Sequence, residues 1–348
     1  MYKVFTKIKK IEKEWKKVIT PDFLNINFLK IYYQNHKKIK HLFIVNDNFR
    51  LYAHIFKLTL NKTKNYLDNK LLPTTFLSFV SLKVLYLTNS YITNTPSFIS
   101  NKKINEIELL NNINEHYSII IIPDFLFKKM IIENNNYIKI EAEEEMILNI
   151  RKEWLELNDY ILDLKKKYRS KVKQIINKTN NLEIRNLNPK DLTLYAKEIQ
   201  KLFNQVATAS RFQGPLFNTD SFIEFTQQKY MKVDGLFLHN KLVGFSSIID
   251  TEDVLYSYFV GFDKNLNKLI PLYGRILIEN INRAIMLKKK SLILGRTANE
   301  YKSNFGATPI KSFIYLKVKN KFLRVILKPI YSKLRINKWI QRSPFKNK

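Results

Sequence analysis

The chain carries few of the groups that ordinarily do enzyme chemistry. It has no cysteine, which removes thiolate nucleophiles, disulfides and sulfur-ligated metal sites. Its five histidines (His36, His41, His54, His116 and His239) are scattered without metal-ligand spacing and read as structural or surface residues, so no metal is expected. There is no serine nucleophile elbow, and seven glycines leave little room for a glycine-rich phosphate loop. What remains is charge and aromatic surface. Arg296 directly follows the apolar run Leu292–Gly295, at a strand end where α/β sheets commonly meet ligands, or it forms an ion pair that supports the turn. Arg211, in the polar stretch Ser210-Arg211-Phe212-Gln213-Gly214-Pro215, can hold a carboxylate or a phosphate. Glu300 can act as a general base or play a capping or surface role. Tyr256, Tyr258 and Tyr273 can line a site or fill a core.

These residues need elements to position them. Val254–Phe262 reads as a strand, with Tyr256, Tyr258 and Val260 alternating against Leu255, Ser257 and Phe259. The loop Asp263–Lys268 leads to a helix over Pro271–Leu287, with Pro271 suited to its first turn. Ser291–Gly295 follows as a buried strand, Ala298–Phe305 as a short helix and Ile310–Val318 as a closing strand. Upstream, Gly235–His239 and Leu242–Ile249 form a hairpin about Asn240-Lys241, preceded by a strand at Leu182–Asn186 and a helix that Asp191 can cap. Trp154, Leu157, Ile161, Leu164, Tyr168, Val172 and Ile175 recur at steps of three and four, predicting one amphipathic helix over Glu153–Lys178. Its basic C-terminal half either opposes the helix dipole or offers an anion-binding face.

The first half reads as α/β without a chemical motif. Apolar residues from Val4 to Ile19 predict a helix, and Asp22 can cap a second helix through Tyr32. His41–Val45 and Arg50–Leu60 pair as strands across Asn46-Asp47-Asn48, with further strands at Leu82–Leu87, Tyr117–Ile122 and Tyr137–Ala142. A hydrophobic share of 45%, with 24 Phe and 19 Tyr, argues for packed cores over 348 residues, about two domains. The net charge of +30 comes from 60 basic against 30 acidic residues, 49 of them lysine. It favours anionic partners such as a CoA phosphate, tRNA or an anionic membrane, or serves solubility alone. Met1–Lys17 lacks a signal-peptide core, and Leu71–Leu87, with Pro73 and Lys83, is too short to span a bilayer. A soluble cytoplasmic protein is expected.

The order of elements from Asp191 to Val318 resembles the GNAT acyltransferase fold, and three segments narrow the resemblance to its FemAB-like and BioF2-like relatives. These are Tyr168-Arg169-Ser170-Lys171-Val172-Lys173-Gln174, the strand–loop–helix Tyr258–Arg275, and Gly295-Arg296-Thr297-Ala298-Asn299-Glu300-Tyr301-Lys302-Ser303-Asn304-Phe305-Gly306-Ala307. The resemblance covers about 165 residues of the second half and reaches the first half only by topology. It implies two tandem GNAT-like domains, each a mixed, mostly antiparallel sheet flanked by helices, in an α/β (α+β) chain: 1–150, 151–319, and a basic amphipathic tail at 320–348. It implies N-acyl transfer from acyl-CoA or acetyl-CoA to a small-molecule amine or a cell-envelope precursor. Lys302 would stabilise the oxyanion, with Glu300 as base or orienting group. Arg211, Tyr256, Tyr258, Tyr273 and Arg296 would contact substrate, and Val260, Gly261, Lys264 and Lys268 the donor. The loop Asp263–Lys268 departs from the pattern, having no glycine where simple GNAT enzymes cradle a pyrophosphate. That leaves open aminoacyl-tRNA as donor, as in the FemAB family, and a non-catalytic GNAT-fold binding protein.

From Tyr301 to Lys348 the chain has 13 Lys or Arg and no Asp or Glu. Within it, Phe322, Leu323, Ile326, Ile330, Leu334 and Ile340 interleave with cations. Such a stretch can dock its apolar face on the protein, lie peripherally on the inner face of an anionic membrane, or track an RNA backbone.

Overall fold

Asn46 and its neighbours turn the chain so that Lys40–Asn46 and Phe49–Thr59 pair as an antiparallel hairpin, in register from Lys40↔Ile55 to Asn46↔Phe49. The computed structural model in which this is seen describes residues 1–59, 81–92, 95–133, 136–208, 214–331, 336 and 338–346. Arg211 and most of Leu71–Leu87 lie outside these residues. The chain divides into two units: Met1–Glu143 with Arg211–Phe217 and Lys311–Asn337, and Glu144–Ser210 with Asn218–Ile310 and Lys338–Lys348.

In the first unit the strand order is Lys3–Phe5, Lys40–Asn46, Phe49–Thr59, Ser81–Tyr86, Ile119–Pro123 and the C-terminal part of Thr308–Val318. All neighbours are antiparallel except Ser81–Tyr86 with Ile119–Pro123. Leu42, Ile44, Leu51, Leu85, Ile120 and Leu126 fill one side of this sheet. The helix expected from Val4 onward is shorter, Ile8–Trp15, because Lys3–Phe5 pairs as an edge strand with Phe43–Val45. Asp22 opens only a 3-10 turn. The second helix, Ile26–Asn35, is capped by Asn25, whose side chain accepts from the Asn27 N–H at 2.9 Å.

In the second unit the order is Glu183–Asn186, Lys232–Leu238, Lys241–Asp250, Val254–Phe262, Ser291–Gly295 and the second half of Ile138–Asn149. Here only Val254–Phe262 with Ser291–Gly295 is parallel, joined by the crossover helix Leu272–Met286. This is the mixed, mostly antiparallel arrangement expected. Leu255, Leu277, Ile281 and Leu292 form its core with Val172 and Ile175.

The single helix expected over Glu153–Lys178 is two, Leu157–Asp163 and Lys166–Lys178. Leu164 between them is extended and bridges Phe345, while the Lys165 N–H donates to the Pro344 carbonyl at 2.8 Å. Pairing with the C-terminal segment takes the backbone groups that a continuous helix would have used. Asp191 is likewise not a cap but the third residue of the helix Pro189–Leu194, reciprocating Asn188 in a capping box. A separate helix, Ala196–Ala207, follows. Among the described residues no helix is long and apolar enough to cross a membrane.

Candidate active site

The site begins at an irregularity in the strand Val254–Phe262. Against Lys241–Asp250 the register runs Gly244↔Phe262, Phe245↔Gly261 and Ser246↔Val260, then resumes at Ile248↔Ser257. Ser247 therefore faces both Tyr258 and Phe259, a β-bulge. The Ser247 hydroxyl donates to the Phe259 carbonyl and accepts from the Phe259 N–H, both at 2.9 Å, so one buried side chain replaces two ladder bonds. The rings of Tyr258 and Phe259 lie 4.3 Å apart, and the simple alternation read from the sequence breaks here. Below the bulge, buried Asn280 on the crossover helix donates to the Ser257 hydroxyl at 2.9 Å and the Ser246 hydroxyl at 3.1 Å.

On its other edge the same strand pairs with Ser291–Gly295 only from Val254↔Ser291 to Tyr256↔Ile293, yet continues to Phe262. The parallel ladder thus ends where the bulge begins, among the described residues. The neighbouring strand ends at Gly295, with φ +71°, followed by Thr297 at +67° and Ala298 at +51°. A non-glycine residue in the left-handed region costs of order 1–2 kcal/mol. Something must hold this turn, and Lys302 does: its ammonium donates to the Gly295 carbonyl at 2.9 Å and the Arg296 carbonyl at 2.8 Å, on a side chain that is 2% exposed.

The loop after the bulged strand decides how the site can treat a pyrophosphate. Lys264 N–H donates to the Gln205 side chain, and the Asn265 and Leu266 N–H groups to the Asp263 carboxylate. Those of Asn267, Lys268, Leu269, Ile270 and Leu272 go to loop carbonyls, and that of Tyr273 goes to the Asn267 side chain at 2.9 Å. Pro271 has none. Every backbone donor from Lys264 to Tyr273 is therefore already used, and the loop does not offer the nest of N–H groups with which a GNAT fold grips the pyrophosphate of acyl-CoA. Lys264 and Lys268 are exposed cations beside it. Gly261 is needed for a different reason: a Cβ there would lie 2.7 Å from the Phe203 backbone nitrogen, where helix Ala196–Ala207 crosses the strand. Val260 packs beside Leu272 and Ile276.

An aromatic file leads outward. Phe262 stacks on Tyr273 and Tyr273 on Tyr301, each with centroids 5.5 Å apart, and the Tyr301 hydroxyl lies over Gly274. Burial pushes the phenols of Tyr273 and Tyr301 up, so both stay neutral. Tyr301 also borders a groove of about 500 Å³ lined by Lys167, Tyr168, Lys171, Glu300, Asn304 and Arg342. The Lys171 ammonium sits 4.9 Å over the Tyr301 ring. Its pKa is lowered by burial and then by the charges of Lys167 and Arg342. Glu300 pairs with Arg342 at the rim, which holds its carboxyl below the usual range.

The structure thus gathers Lys302, Glu300, Arg296, Tyr258 and Tyr273 on adjoining elements of one unit. It places the Lys302 ammonium on backbone carbonyls and Glu300 against Arg342. Tyr256 lies on the paired part of the strand. Sequence reasoning missed Ser247, Asn280, Tyr301 and Arg342. A signal for the first existed in Ser246-Ser247, two small polar residues inside an apolar strand. Arg342 gave none, because its contact with Glu300 spans 42 residues. Among the described residues no His, Asp and Glu group is placed to hold a metal.

Neither family models nor curated proteins match the chain. Solved structures do. L-PGS from Bacillus licheniformis is 11% identical, with a TM-score of 0.53 over 94% of this chain and 97% of that one. FemX is 10% identical, with a TM-score of 0.51 over 94% and 100%. The C-terminal domain of a putative lysylphosphatidylglycerol synthetase from Agrobacterium fabrum is 9% identical, at 0.51 over 94% and 97%. These similarities are of fold, and they bear out the expected FemAB-like GNAT architecture.

Proposed function

We propose that the protein is an acyltransferase that moves an aminoacyl group from tRNA to an amine on a cell-envelope precursor or small molecule. The reaction class is supported by the fold and by the edge of the bulged strand beyond Tyr256, whose backbone is the natural place to polarise a carbonyl. In the transfer the acceptor nitrogen bonds the acyl carbon, the ester C–O bond breaks, and one amine proton passes to the departing ribose oxygen. Lys302 acts as a positioning residue for the turn Gly295–Ala298 at the end of the neighbouring strand, and Ser247 and Asn280 hold the bulge.

The choice of donor rests on the loop from Lys264 to Tyr273, whose backbone N–H groups are all engaged within the protein. This speaks against acyl-CoA, the donor expected first, and leaves the aminoacyl-tRNA that the FemAB resemblance implies. The groove with Lys167, Lys171 and Arg342, and a net charge of +30, suit a polyanion of that size. Exposed Lys264 and Lys268 are what favours the second reading, an acyl-CoA donor. Titration decides between them: tRNA should bind with an affinity that falls steeply as salt rises, and acetyl-CoA should give no heat. Saturable acetyl-CoA binding without tRNA binding would reverse the choice. Binding of either without transfer to any amine would leave a recognition protein on a GNAT fold.

A further inference from the structure

The helix Lys321–Tyr331 carries three chemically different sides, spaced by the 100° turn per residue of an α-helix. Leu323, Leu327 and Tyr331 face inward and pack with Leu82, Val84, Ile119 and Val318 of the first unit. Phe322, Val325 and Ile326 share a second side and are 76%, 71% and 47% exposed. Lys321, Arg324 and Lys328 make a third side. Arg324 is tied to the Val318 carbonyl, while Lys321 and Lys328 are exposed. The helix is therefore docked and preformed, and it still shows water an apolar stripe flanked by cations.

We propose that this stripe seats the protein on an anionic phospholipid surface. The helix would lie in the plane of the interface, with Phe322, Val325 and Ile326 in the headgroup–acyl boundary and Lys321 and Lys328 among the phosphates. Charge complementarity selects this occupant. The helix holds Lys321, Arg324 and Lys328 and no acidic residue, so nothing on it repels a negative surface. The apolar stripe selects it over RNA: valine and isoleucine add nothing to a phosphate backbone and cannot stack bases as an aromatic does, whereas a bilayer boundary takes up both stripes together. A helix already folded on its own unit gives up no ordering entropy on docking. The proposal stands independently of the donor assigned above.

The test uses the full chain with vesicles of phosphatidylcholine containing roughly one-third phosphatidylglycerol. The wild type should sediment with these and not with pure phosphatidylcholine, and salt should release it. Lys321→Gln and Lys328→Gln should each weaken binding by about fivefold. Phe322→Ser/Val325→Ser/Ile326→Ser should weaken it by at least about tenfold with unchanged thermal melting. A Phe322→Trp variant supplies a readout that does not depend on a disruptive change: its emission should shift to the blue on anionic vesicles. Absence of that shift, or undiminished binding by the triple serine variant, overturns the proposal. So does loss of tRNA binding by the triple variant in a protein that ignores vesicles.

Discussion

Replacing Lys302 by Met keeps most of the stem's volume and removes only the ammonium, which makes it a clean probe of the turn Gly295–Ala298. Two charge-assisted hydrogen bonds disappear, to the Gly295 and Arg296 carbonyls. Bonds of this kind contribute about 1.5–3 kcal/mol each, and the carbonyls would be left without them in a buried setting. Against this stands the relief of no longer burying a cation that is 2% exposed, which offsets part of the loss. The net expectation is a destabilisation of about 2–4 kcal/mol, a large fraction of an ordinary domain's stability. The backbone at Thr297 and Ala298, held at φ +67° and +51°, would relax toward commoner conformations. Urea denaturation gives the free energy, and hydrogen exchange across residues 291–307 shows where it is lost. A cost below about 0.5 kcal/mol for Lys302→Met, with exchange unchanged, would mean that Lys302 does not hold the turn. Should transfer nonetheless fall by more than about a hundredfold, Lys302 is an oxyanion donor and not a clamp.

Other expectations follow from the same geometry. Ser247→Ala removes both partners of the Phe259 backbone and should cost about 1–3 kcal/mol, with faster exchange at Phe259 and slower transfer. Gly295→Ala should cost about 1–2 kcal/mol for conformation alone, since a Cβ there meets nothing within 4 Å; a urea midpoint shift reads it. Lys171→Ala and Arg342→Ala should each flatten the salt dependence of tRNA binding by about one phosphate contact, measured by filter binding. In the first unit, burial pulls His36 and His41 down to about 4 and His54 well below its ordinary value. These groups are neutral when folded but bind protons near 6.5 when unfolded. Their contribution is therefore whole above about pH 6.5 and lost as pH falls toward about 4, at up to about 1.4 kcal/mol per pH unit for each histidine. Urea unfolding that is flat from about pH 7 to about pH 5 would contradict this.

Much of the second unit was legible because its strands and crossover helix obey local rules. Val254–Phe262 and Ser291–Gly295 match their expected bounds, and Pro271 stands just ahead of the helix Leu272–Met286. What could not be read depends on partners distant in sequence. The break at Leu164 answers to Phe345, and nothing between Leu164 and Lys165 announces it. The bulge opposite Ser247 leaves the strand's composition ordinary while shifting the side on which Tyr258 points. The same limit explains the histidines. Scattered in sequence, His36, His41 and His54 meet in the fold, with the rings of His41 and His54 5.1 Å apart and Tyr91 4.3 Å from His36. The signature Gly295–Ala307 was informative for a physical reason: its two glycines take a positive φ and its lysine ties the turn down. That makes it a better marker of fold than of chemistry.

Whether the acyl group arrives on tRNA or on CoA is read out by a single-turnover transfer assay. The purified protein is offered tRNA charged with a labelled amino acid, or labelled acetyl-CoA, in the presence of a primary-amine acceptor from the cell envelope. Label should appear on the amine from the charged tRNA and not from acetyl-CoA, because the loop from Lys264 to Tyr273 has no backbone donor left for a pyrophosphate. Saturable transfer from acetyl-CoA, with none from the tRNA, would contradict it.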